Sequence, residues 1–116
     1  MFITEKGYES LTQEQKARIC NGAGAANDWR SAFIPNTIYG LDCTEVFNIH
    51  DYAYHIGKTL DDKKRADFAM LQNLLCLINS SGNIVTRFLR RMRAMDYYDA
   101  VVEFGENPFF VGKERD

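Results

Sequence analysis

His50, Asp51, Tyr54 and Asp67 are the side chains whose types and spacing could do chemistry. The stretch FNIHDYAYHIG, Phe47 to Gly57, sets an imidazole and a carboxylate side by side among aromatic and aliphatic residues, with a tyrosine one helical turn on. Asp67 follows seventeen residues after His50, in RADFAMLQNL. Burying such groups is costly unless each finds a partner. An imidazole oriented by a carboxylate through one ring nitrogen leaves the other nitrogen to act as a general base. A neighbouring carboxylate could hold a hard metal ion near the same substrate.

The elements around these residues read as helices. A short helix runs from Leu11 to Cys20, with Ser10 or Thr12 as cap. Asn21 to Asp42 is a long irregular segment of glycine, proline and asparagine, and loops of that length in a small domain are often functional. A second helix spans about Cys43 to Ile56, capped by Asp42 or Thr44 and stopped at Gly57. A third spans about Asp61 to Asn79, and a fourth about Ile84 to Phe104, after the break SSGN. Both prolines, Pro35 and Pro108, fall outside these patterns. Strand alternation is not convincing anywhere, so the class is all-α: a small helical domain, 1–116, with an antiparallel central helix pair and a long glycine-containing loop.

Helical spacing puts Val46, Phe47, His50, Tyr54 and Gly57 on one face of the second helix, and Asp67, Leu71, Leu74 and Ile78 on one face of the third. His50 and Asp67 are thus polar misfits on two core-facing stripes. Helices joined by a short connection usually pack antiparallel. At about 1.5 Å per residue, His50 lies roughly 10 Å below the turn at Gly57 and Asp67 roughly 9 Å below the restart near Asp61. The two should face each other. Asp51 points about 100° away round the helix, toward the rim.

His50-Asp51-x-x-Tyr54, with the upstream Pro35-x-x-x-x-Gly40-Leu41, the glycine-containing loop and the downstream Ala66-Asp67, resembles the phospholipase A₂ superfamily, closest to compact bacterial and phage-type members. The likeness covers roughly Asn21 to Leu75. It implies calcium-dependent hydrolysis of a glycerophospholipid ester, with His50 as the base that activates a water, Asp67 as its orienting partner and Tyr54 bonded to that aspartate. It implies Ca²⁺ held by Asp51 and by backbone carbonyls of a loop in which Gly22 and Gly24 match a G-x-G; carbonyls near Gly40 to Asp42 are the next candidates. The implied partner is a phospholipid or other lipid ester, with transient contact at a membrane surface. The chain departs from secreted members in having Ala53 and Phe47 where cysteines are usual, and Asn21 and Ala25 within the loop.

Composition bounds the alternatives. A formal net charge of -2, with 46% hydrophobic and 26% charged residues, describes an ordinary globular chain with no global pull toward nucleic acid. Cys20, Cys43 and Cys76 are odd in number and far apart, which argues against a zinc cluster or disulfide framework. They read as reduced thiols of a cytoplasmic protein, since no leader peptide or spanning segment is visible. His55 reads as a surface residue, and RFLRRMR, Arg87 to Arg93, as a solvated basic face. The rival readings are a phospholipase-like binding or structural protein without turnover, of the kind a phage encodes, and a metal-dependent hydrolase of another ester.

Overall fold

The computed structural model describes residues 2–20 and 36–114. Helix α1 (Gln13–Cys20) opens on a reciprocal cap: the Thr12 hydroxyl accepts from the Gln15 N–H at 3.1 Å, and the Gln15 side chain accepts from the Thr12 N–H at 2.9 Å. Thr12 is therefore the cap. Ser10 instead closes a 3-10 turn over Tyr8–Ser10.

Two short strands, β1 (Thr37–Ile38) and β2 (Leu41–Asp42), pair antiparallel inside the segment that reads as irregular. Tyr39 and Gly40 join them with φ of 47° and 81°, the two positive values that a tight hairpin turn of this hand requires. Two residues per strand are too few for alternation to register. Arg90, from α4, pins the turn: its Nε donates to the Ile38 carbonyl at 3.3 Å and a terminal nitrogen donates to the Tyr39 carbonyl at 2.8 Å. Arg90 is buried, so the expectation of a wholly solvated basic face is corrected at this residue.

Helix α2 (Thr44–Ile56) begins where Asp42 Oδ1 accepts both the backbone N–H and the hydroxyl of Thr44, at 2.9 and 2.6 Å. It ends at Gly57. Helix α3 (Leu60–Asn79) starts on a full capping box, in which Thr59 accepts from the Asp62 N–H and Asp62 from the Thr59 N–H. Hydrogen bonds from the backbone of Lys58 and then Thr59 hold the Asp62 carboxyl down at about 2. Thr59→Ala should lower the unfolding free energy by about 0.5–2 kcal/mol, seen as a lower urea midpoint at unchanged slope.

Helix α4 (Ile84–Phe104) is capped by Asn83, which accepts from the Thr86 N–H at 2.8 Å. A further helix, α5 (Glu106–Phe110), contains Pro108, so the expectation that both prolines avoid helices fails at this one. The missing N–H does no harm there, because the first-turn donors of a helix have no intrahelical partner.

Helix α3 packs against both α2 and α4, and α1 packs against α2. Phe47 and Val46 of α2, Met70, Leu74 and Ile78 of α3, Ile38 of β1 and Val101 of α4 form the main core. Burial of each such side chain is worth about 1.5–3 kcal/mol. Phe109 and Phe110 of α5 close a second cluster over Tyr54, Ala53 and Ala66. Buried Asn73 ties down the N-terminal segment through two bonds to the backbone of Ile3, at 2.6 and 2.9 Å. The molecule is a small all-α fold. Among the described residues no helix is long and apolar enough to cross a membrane.

A candidate histidine–aspartate site

The two polar misfits meet. His50 Nε2 lies 2.8 Å from Asp67 Oδ1, with both side chains almost completely buried. One turn on, the Tyr54 hydroxyl donates to the same oxygen at 2.7 Å. Antiparallel packing of α2 and α3 produces this, since residues ascending one helix meet residues descending the other. The Tyr54 ring lies 4.2 Å from the His50 ring, centroid to centroid, and Phe109 stands edge-on to it at 5.1 Å. Gly105, between α4 and α5, leaves room for the hydroxyl: a Cβ there would collide with it.

Lys63 completes the cluster. It is buried, and its Nζ donates to Asp67 Oδ2 at 2.7 Å and to the carbonyls of Val101 and Val102 at 3.1 and 3.5 Å. Lys63 is absent from the sequence reading, although its i, i+4 spacing to Asp67 puts the two on one helix face. In the run DDKKR that signal does not stand out from the surrounding solvated charges.

Burial by itself would raise the Asp67 carboxyl. The hydrogen bond and charge of His50 act against it, joined by hydrogen bonds from Lys63 and Tyr54, and the carboxyl is held below its ordinary value of 3.8. An ionised carboxylate only accepts, so the proton of a neutral His50 is assigned to Nε2 and the lone pair to Nδ1. Nδ1 is buried and has no hydrogen-bond partner among the described residues. An unsatisfied buried polar atom costs about 1–3 kcal/mol, and such atoms in native proteins call for an explanation.

Asp51, next to His50 on α2, is partly exposed, as a position turned away from the buried stripe should be. Gly22 and Gly24 lie outside the described residues. Around Gly40 the carbonyls of Ile38 and Tyr39 are engaged by Arg90, and the Leu41 carbonyl accepts weakly from the Cys43 thiol at 3.5 Å. Among the described residues no three His, Cys, Asp or Glu side chains are grouped to hold a metal.

Burial pushes the Cys43 thiol up to about 11, which leaves it un-ionised at neutral pH and a poor nucleophile. His55 is exposed, as expected. Tyr52 is a core residue, donating its hydroxyl to the Lys6 carbonyl at 3.0 Å and meeting the Tyr8 ring edge-on. Comparisons of the chain with protein-family models, curated proteins and solved structures find no match.

Proposed function

We propose that the protein hydrolyses a carboxylic ester of a glycerophospholipid, with His50 as general base. The observation that carries this is the buried His50 imidazole, tied through Nε2 to Asp67 while Nδ1 keeps an unshared lone pair. The resemblance of His50-Asp51-x-x-Tyr54 and Ala66-Asp67 to the phospholipase A₂ pattern supplies the substrate class. In this reading Nδ1 takes a proton from a water as its oxygen adds to the ester carbonyl. As the acyl C–O bond breaks, the proton passes from Nδ1 to the departing alkoxide. Asp67 steadies the transient imidazolium, while Tyr54 and Lys63 keep the carboxylate in register. Asp51 would hold Ca²⁺, which when bound polarises the ester carbonyl.

A second reading is favoured by the complete burial of the imidazole and by the sharing of Asp67 with Lys63. Both suit a structural network, in a protein that binds lipid or a partner without turnover. Purified protein with phosphatidylcholine vesicles separates the two. Fatty acid should be released at millimolar calcium and not with a chelator, and Asp51→Asn should weaken calcium binding in a calorimetric titration. A chain that binds calcium and vesicles but releases no fatty acid supports the binding protein. Absence of both heat and thermal shift with calcium overturns the Asp51 assignment.

A further inference from the structure

We infer that helix α4 is a self-association surface, on which a second copy of this chain packs antiparallel about a two-fold axis near Met95. The inference does not depend on the hydrolytic reading. Arg90, Ala94, Tyr97 and Val101 face the core. The opposite face carries Val85, Phe88, Met92, Met95 and Val102, spaced as one stripe over about 26 Å. Phe88 is 58% exposed and Met92 54%, so the core does not use them. An apolar stripe of this kind, broken by Asp99 between Met95 and Val102, marks an interaction surface.

Charge selects the occupant. From Ile84 to Met95 the helix carries four arginines and no acid; from Asp96 to Phe104 it carries Asp96, Asp99 and Glu103 and no base. This division opposes the helix macrodipole, which favours acids at the start and bases at the end. Within α4 alone the arrangement is unfavourable, and the Lys63 ammonium on the Val101 and Val102 carbonyls relieves part of it.

An antiparallel second copy reverses both dipole and charge order. About an axis at Met95, Phe88 falls opposite Val102 of the second copy, and Arg91 opposite its Asp99. Asp96 lies on the other flank, one residue from the axis. Arg91 already donates to Asn79 at 3.1 Å, which holds its side chain on the flank of the stripe while leaving further donors. The interface is isologous, as a two-fold pair requires. A parallel copy would set arginine on arginine. An anionic membrane would suit the basic half but repel the three acids.

Sedimentation equilibrium of the full chain, under reductant so that exposed Cys76 forms no covalent dimer, should give the mass of two 13.3 kDa chains. Arg91→Glu and Asp99→Arg should each raise the dimer dissociation constant roughly tenfold or more, by placing like charges opposite one another. The double variant Arg91→Glu/Asp99→Arg should restore it, since the pair is re-formed with its signs exchanged. Circular dichroism checks that each variant is folded. A wild type that stays monomeric to millimolar concentration, or a double variant no tighter than the single ones, overturns the inference. So does a monomer whose α4 arginines are needed for binding to anionic vesicles.

Discussion

His50→Gln should lower calcium-dependent fatty-acid release from vesicles by roughly 10²–10⁴-fold or to background, while the far-ultraviolet dichroism stays that of the wild type. Glutamine retains an amide that can donate to Asp67 but offers no nitrogen lone pair to take a proton. Asp67→Asn should cost less. It keeps the base and loses the counter-charge to the imidazolium, and it frees Lys63 from its ion pair. The opposite ranking, with Asp67→Asn the more damaging and His50→Gln nearly silent, would show that the cluster serves the core and that His50 accepts no proton in turnover. Tyr54→Phe should cost less still: it removes one of two bonds to Asp67 Oδ1 and leaves the ring packing against His50 intact.

The second large effect is on stability. Asp67→Leu should destabilise the protein by about 3–5 kcal/mol, because it leaves the buried Lys63 ammonium without its counter-charge and His50 Nε2–H without an acceptor. Urea denaturation measures it. Lys63→Met in the same chain should recover part of that loss, since replacing both members of a buried pair by apolar side chains is often near neutral. A double variant no more stable than Asp67→Leu would mean that the ion pair contributes little and that the loss comes from the hydrogen bonds of His50 and Tyr54.

The same cluster sets a pH dependence. Asp67 is held below its ordinary value of 3.8 in the folded protein, so it contributes stability at neutral pH. That contribution is lost as pH falls below the ordinary value and through the folded one. Asp62, held at about 2, adds a part between about pH 4 and pH 2, reduced by its exposure to solvent. Stability should therefore drop between about pH 4 and pH 2 in the wild type, and less steeply in Asp67→Asn.

Periodicity and connection length carried the site a long way. Apolar residues recurring at helical spacing around His50 and Asp67 place each on a buried stripe, and a short connection between α2 and α3 leaves antiparallel packing as the simple solution. From those two facts the heights of His50 and Asp67 follow, and so does their meeting at 2.8 Å. Tyr54 follows as well, one turn along the same face. These are short-range relations, and a chain's own spacing encodes them.

The remaining features depend on contacts between residues far apart in the chain. Lys63 looks like its neighbours Lys64 and Arg65, and only the end of α4, nearly forty residues on, supplies the two carbonyls that keep it buried. Arg90 is one arginine in a run of basic residues until the β1–β2 turn offers it the carbonyls of Ile38 and Tyr39. Asn73 is buried because the chain start returns to lie across α3. Helix α5 has too few residues to show a period; it forms where Phe109 and Phe110 can close over Tyr54. A long polar side chain carries no local mark of burial. Whether its charge ends in water or against a partner is settled by what the tertiary fold brings to it.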